Sequence, residues 1–572
     1  MSTTTTERTP SEPPERTRAH AHSTQRPQGA TRTLAVLLRQ RLRRDRWQLL
    51  IWILAIALLA LFSAASIQNT YGDAKGRADL LTLAIANPAI LMLRGLPQGS
   101  GLAAVTYFEI FTFLALLAGL MSTFLAVRHS RAEEETGRAE LVASTPAARI
   151  LPTVATLVHG VLANVVLAVA VALGFIASGL PVGGSFLAGA ATGGVGVAFV
   201  AVGLLLAQLM MTSRGANGAA AALVVLAYVL RGIGDATGTV TGDGTHMVSS
   251  WPSWLSPIGW GEQTSAYVRD DWTPLLLDLA LAVVLMVVVF ALQSVRDSGA
   301  GLIPERPGRA DARATLSGPL GLAWRLQWPT ILGWTVGGLF TGLLAGALGS
   351  VVSSSVADDP ALANIRSALG TIGSGGSGPL TQVFIAAIFS IVGVLAAACA
   401  TQVAIRLRQE EAAGAAEVLM STPLSRVRWL LQFLLVGVIA IVLVLAAAGL
   451  ASGLSAVSAG ESASIVNDSF AAAAAQLPVA LVYLGVLVFV FVLAPRWTVP
   501  LAWTLLGLGA FVGIFGGLVG MPEWMRDLSP FTHVPVVVGT PDWTGGYWMF
   551  GIAVVATAGA ALLIRRRDFA IG

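Results

Sequence analysis

This chain is poor in lysine, cysteine and charge. Across its 572 residues there is one cysteine, Cys399, and among 35 basic residues one lysine, Lys75. A single cysteine inside an apolar run excludes an intrachain disulfide and any cysteine-based metal site. A phosphate-binding P-loop needs Gly-x4-Gly-Lys-[Ser/Thr], whose lysine reaches the phosphates. Lys75 lies instead in "YGDAKGRAD", so this chain does not carry that ATP site. Charged residues make up only 12%, about half the share usual in soluble domains. The net charge of +4 comes from arginines set beside apolar runs, a pattern of membrane flanks rather than of nucleic-acid binding. His20, His22 and His129 are scattered without a supporting ligand set, so no metal site is expected.

What the chain has in abundance is apolar residues. They form 55% of the sequence, and many runs reach the roughly 20 residues that cross a hydrocarbon core. This predicts an all-α polytopic membrane protein with about twelve spans. Residues 1–30, rich in Thr, Pro, Arg and Glu, read as a disordered tail. Leu34, Leu37, Leu38 and Leu42 then recur at helical spacing opposite Arg39, Arg43, Arg44 and Arg46, which predicts an interfacial helix lying on lipid before the first span.

The spans predicted for the first half are Trp47–Gln68, Ala104–Val127, Leu151–Ala177, Phe186–Met211, Ala216–Ile233 and Pro274–Gln293. Those of the second are Trp328–Ser350, Thr381–Ile405, Leu430–Ala451, Gln476–Ala494, Val499–Gly520 and Tyr547–Ile564. Arginines such as Arg128, Arg131, Arg406, Arg408 and the run Arg565–Arg567 concentrate on alternate loops. The positive-inside rule then expects both termini in the cytoplasm of a bacterial plasma-membrane protein.

The chain also repeats itself. "EEETGRAELVASTPAAR" (Glu133–Arg149) reappears as "EEAAGAAEVLMSTPLSR" (Glu410–Arg426), keeping Gly137/Gly414, Glu140/Glu417 and a Ser-Thr-Pro. "LSP" recurs at Leu255–Pro257 and Leu528–Pro530, "DWT" at Asp271–Thr273 and Asp542–Thr544, and an Arg-Asp pair closes each half at Arg296–Asp297 and Arg567–Asp568. One register explains these matches. It implies two parallel six-helix repeats, 31–297 and 320–572, joined by a cytoplasmic linker at 298–319. An even number of spans per repeat gives both copies the same orientation, a plan suited to a central pathway.

Each charged segment follows the second span of its half. Glu134 and Arg138 stand i,i+4 on a helix. Thr145 before Pro146, and Thr422 before Pro423, read as an N-cap and first helical residue of a restarted helix. A solvated connector explains one such segment, but not two with matched glutamates. A repeated acidic helix suggests two equivalent docking points for a two-fold cytoplasmic partner.

The layout and the "EExxGRxELxxxTPxxR" segments resemble the fused permeases of actinobacterial ABC exporters, the family associated with tetronasin and other polyketide antibiotics. The resemblance spans nearly all of the chain beyond the tail. It implies that these segments are coupling helices meeting a separate ABC ATPase, present in two copies, in which ATP and Mg2+ would reside. Carried over by position, the coupling residues are Glu133, Glu134, Gly137, Arg138, Glu140 and Arg149, with Glu410, Glu411, Gly414, Glu417 and Arg426 in the second half. The second copy has Ala415 where the first has Arg138, which would make the two sites unequal.

Polar groups within spans are costly and tend to face protein or water. Glu109 and His159 fall at different depths, about 27 Å and about 12 Å from the same side at 1.5 Å per residue, so they should not pair. Their repeat counterparts are Ala386 and Val436. With Asn164, Gln382, Gln208 and Gln402 they are candidates for the substrate pathway, each weighed against a plain interhelical hydrogen bond. A largely apolar path suits a hydrophobic or amphipathic small molecule. The resemblance makes the chain the permease of an ATP-driven exporter rather than an enzyme. A proton-coupled multidrug antiporter is the alternative, although its usual Gly-x3-Asp-Arg-x-Gly-Arg-Arg loop is here the acidic segment. A lipid-modifying membrane enzyme would need an acid or metal cluster at one membrane face, and the sequence shows none.

Overall fold

The computed structural model describes residues 28–86, 88–139, 150–241, 244–296, 299, 301–303, 318–355, 379–516 and 521–567. Residues 1–27 of the expected tail and 304–317 of the expected linker lie outside this set. Among the described residues, twelve helices are long and apolar enough to cross a membrane, and the protein is an all-α, multi-pass membrane protein. The chain divides into two compact units, residues 1–82 with 94–305, and residues 83–93 with 306–572.

The first unit contains α1 (Gln28–Thr70), α2 (Leu102–Arg128), the short α3 (Arg131–Glu135), α4 (Leu151–Ala177), α5 (Val182–Leu209), α6 (Ser213–Ala236), the short α7 (Pro257–Gln263) and α8 (Leu275–Val295). A small antiparallel hairpin, Thr239–Thr241 with His246–Val248, lies between α6 and α7. The expected interfacial helix is corrected. It runs without a break into the first span as one 43-residue helix, because Leu and Arg are both good helix formers and no glycine or proline interrupts residues 31–71.

Helices α2 and α5 are the most enclosed of this unit, and α5 approaches its neighbours through glycine. A Cβ at Gly193 would lie 2.8 Å from the Asn164 carbonyl, and one at Gly203 would lie 2.9 Å from Ala126 Cβ. Small residues let apolar helices close to backbone contact where no hydrophobic drive against lipid exists.

The second unit contains α9 (Pro319–Ser355), α10 (Leu380–Ala412), α11 (Ala415–Met420), α12 (Arg426–Ser458), α13 (Ile465–Ala475), α14 (Leu477–Leu493), α15 (Thr498–Ala510) and α16 (Thr544–Leu563). Its core gathers Phe389, Trp429, Leu487 and Phe491 around α10. Here α9 meets α12 along Gly338, Gly342 and Gly346, one residue per turn. Added Cβ atoms there would strike the carbonyls of Val444, Ala448 and Ser452 at 2.8, 2.2 and 2.1 Å. The restart expected at Thr422–Pro423 is also corrected. Ser425 caps α12 by accepting from the Arg428 N–H at 3.2 Å, while Thr422 donates back to the Leu419 carbonyl. The equivalent Thr145–Pro146 lies outside the described residues.

Candidate functional site

In the first charged segment, α2 ends at Arg128 and the chain turns through His129 and Ser130 into the single turn of α3. Glu134 projects from that turn onto two arginines. Arg131, one turn back and 1% exposed, donates from Nη1 to Glu134 Oε2 at 2.7 Å. Arg296, just beyond α8, pairs with Oε1. Arg131 also donates from Nε to the Met211 carbonyl at 2.9 Å and from Nη2 to the Gly299 carbonyl at 3.1 Å. One buried guanidinium thus joins the α2–α3 turn, the α5–α6 turn and the end of α8. The i,i+4 partner expected for Glu134, Arg138, is exposed and the carboxylate turns to the arginines inside.

Glu133 faces the other way, toward α1. Arg44 lies 3.2 Å and Arg41 3.8 Å from its carboxylate, and His129 Nδ1 is 3.3 Å away. Gly137 follows with φ +70°, a left-handed turn that glycine adopts without penalty. Glu140 and Arg149 lie outside the described residues.

The second segment repeats the pairing of the inner glutamate with its two arginines. Glu411 is buried and pairs with Arg567, beyond the last span, with Arg408 one turn back at 3.7 Å. Arg567 also donates to the Phe491 carbonyl at 3.1 Å and lies over the Phe491 ring, while Arg426 Nη1 donates to the Arg567 carbonyl at 2.5 Å. Gly414 has φ +73°. Glu410 pairs with Arg406 at 2.5 Å. Beyond the glycine, Glu417 and Val418 are exposed, Val418 by 71%. Each half therefore closes on one clasp: an inward-turned glutamate, the arginine three residues before it, and the arginine that ends the half.

The other repeated motifs also keep their roles. The serine of each "LSP" caps a turn and ties it to the fifth span of its own half. Ser256 accepts from the Gly259 N–H and donates to the Ala227 carbonyl at 2.7 Å. Ser529 accepts from the Phe531 N–H and donates to the Gly509 carbonyl at 2.7 Å. The aspartate of each "DWT" starts the sixth span, Asp271 and Asp542 each accepting the N–H two residues on at 2.9 Å. Those hydrogen bonds hold both carboxyls below the ordinary range.

A family described as multidrug efflux system permease Rv1217c, C-terminal domain, matches residues 316–565. The multidrug efflux system permease protein Rv1217c of Mycobacterium tuberculosis is 36% identical over 544 residues, covering 94% of this chain and 96% of that protein. The chain belongs to this permease family.

Elsewhere in the permease, most polar residues expected in a pathway are tied to neighbouring helices. Glu109 is buried and pairs with Arg94. Asn164 donates to Ser122 Oγ and the Gly160 carbonyl, both at 2.9 Å. Gln382 donates to Asp468 at 2.8 Å, and Gln402 accepts from Trp334 at 3.1 Å. Gln208 is buried at the end of α5. His159 meets Asp45 of α1 at 3.2 Å, and His129 bonds the same carboxylate.

The sequence reading of scattered histidines is corrected by that contact. Asp45, His129 and His159 are buried and bring their donor atoms within 4.8 Å of one another. Such a donor set can take a divalent cation. Arg128 at 3.3 Å from Asp45 and Glu133 at 3.3 Å from His129 already balance its charges, which suits a knot joining α1 to α2 and α4. Residue spacing gave no signal for this knot, because its members come from three helices.

Sequence reasoning also missed two buried charge sites. Arg231 pairs with Asp235 at 3.0 Å and lies 3.9 Å from Glu262, whose Oε1 accepts from the Leu96 N–H at 2.5 Å. Burial pushes the Glu262 carboxyl above its ordinary range, against the pull of Arg231 and the Leu96 N–H. Asp278, in "LLLDLAL", is buried in α8 with neither carboxylate oxygen hydrogen-bonded. The signal for Asp278 was a lone acid within an otherwise apolar run.

Proposed function

We propose that this permease is the membrane subunit of an ATP-driven ABC exporter. It extrudes hydrophobic or amphipathic compounds, polyketide antibiotics among them, with both termini in the cytoplasm. Two copies of a separate ATPase, which would hold ATP and Mg2+, dock on the segments Glu133–Arg149 and Glu410–Arg426. The observation carrying this reading is the twin clasp. The end of span two and the end of span six of each half are fastened to the same glutamate, Glu134 or Glu411. A push on the segment beyond the glycine therefore reaches two spans through ion pairs rather than through a slack loop.

This assigns the residues different tasks. Glu134 and Glu411 with their arginines form the lever, Gly137 and Gly414 the bend, and the exposed Arg138, Glu417 and Val418 the face offered to the partner. The test is co-purification with the candidate ATPase and cargo-stimulated ATP hydrolysis by the complex. Cargo transport that persists without the ATPase and follows a proton gradient overturns the reading in favour of an antiporter.

A further inference from the structure

We propose that Asp278 and the groove beside it form a binding site for lipophilic cations, a substrate class within the export function inferred above and resting on it. Asp278 is 1% exposed, and neither of its oxygens has a hydrogen-bond partner. A carboxylate in that position is costly unless it keeps a proton or meets a cation. It lies against a groove of about 340 Å³ whose walls include Asn164 and Val165 of α4, Phe186, Gly193 and Gly194 of α5, and Trp272 just before α8. That volume is at the lower end of drug-binding cavities, about 300–1,000 Å³.

Gly194 is the contact between the two. It lines the groove, and the position its Cβ would occupy is 3.7 Å from Asp278 Oδ2. Being a glycine, it adds no side chain of its own between the groove and the carboxylate. Trp272 and Phe186 add aromatic rings, whose faces attract cations and reject anions. The walls are otherwise apolar except for Asn164, whose amide is engaged with Ser122 and Gly160. The low polarity strengthens attraction between a bound cation and the carboxylate. The second repeat lacks the matching acid, because the "DWT" register places Met549 opposite Asp278.

The test is equilibrium binding of tetraphenylphosphonium to the full-length permease in lipid nanodiscs, with its anionic isostere tetraphenylborate as competitor. The wild type should bind the cation, and tetraphenylborate should fail to displace it. Asp278→Asn should weaken binding roughly tenfold or more, and Asp278→Glu should restore most of it. Gly194→Ala keeps the charge but covers it. The added methyl meets Asp278 Oδ2 and Leu275 Cδ2 at 3.7 Å, ordinary contact without a clash, so this variant serves if Asp278→Asn does not fold. It too should weaken binding.

Wild-type affinity for the cation in folded Asp278→Asn or Gly194→Ala, or equal binding of cation and anion by the wild type, overturns the proposal. The export reading fails separately. If binding depends on Asp278 but cells containing permease and ATPase extrude no hydrophobic compound, the site stands and the exporter does not.

Discussion

Arg567→Ala and Glu411→Gln remove opposite sides of one clasp and should cost different amounts. The Glu411 side chain is 0% exposed, whereas that of Arg567 is 14% exposed. Arg567 also retains the Phe491 carbonyl at 3.1 Å and the Phe491 ring when Glu411 loses its charge. Glu411→Gln keeps the volume and leaves Arg567 a neutral amide oxygen as acceptor in place of a carboxylate, at about 1–2 kcal/mol. Arg567→Ala takes the nearer of two arginines from a carboxylate that water cannot reach and leaves Arg408 at 3.7 Å, at up to about 3–5 kcal/mol. The double variant removes both ends and should cost less than the sum of the singles by about 1–3 kcal/mol. The assay is unfolding of the purified permease by rising SDS in mixed micelles, followed by tryptophan fluorescence. In the first half Arg296→Ala should cost less, since Glu134 is 18% exposed and keeps Arg131 at 2.7 Å. Additive single-variant costs, or a Glu411→Gln variant less stable than Arg567→Ala, would show that the buried carboxylate does not depend on Arg567.

The same unfolding assay checks the bends. Gly137→Ala and Gly414→Ala meet no atom within 4 Å, so backbone strain alone should cost each about 1–2 kcal/mol, and equal losses would support their equivalence. Ser256→Ala and Ser529→Ala should each lose about 1 kcal/mol of cap energy. Limited proteolysis should show their segments, near Pro257 and Pro530, opening before the spans do.

The spans were legible because twenty-residue apolar runs leave little freedom in reading them, and the motif pairs were legible as identical letters. What those letters do was only partly so. Glu134 read as a helix residue placed to pair with Arg138, whereas its partners are Arg131 and Arg296. A partner distant in sequence leaves no local periodicity, and only the recurrence of the closing arginine hinted at it. The interfacial helix failed for another reason. Amphipathic spacing does not show whether a helix lies on lipid or continues into a span, and here α1 continues. Histidines 30 residues apart, with an aspartate on a third helix, could not be read as a cluster until α1, α2 and α4 were packed.

The structure also changes which residues test docking. Reversing Glu134 and Glu411 would break the clasps and confuse lost association with lost stability. Arg138 and Glu417 are exposed, and their reversal leaves the buried pairs intact. The most direct measurement is therefore the ATPase retained by affinity-purified permease, wild type against the Arg138→Glu/Glu417→Arg double variant, with unfolding measured alongside. Two ATPase chains should be retained on each wild-type permease, with a marked loss on the double variant and unfolding unchanged. Full retention by a stably folded double variant, or a wild-type permease that exports cargo with no ATPase bound, would contradict an exporter driven by an ATPase docked on these segments.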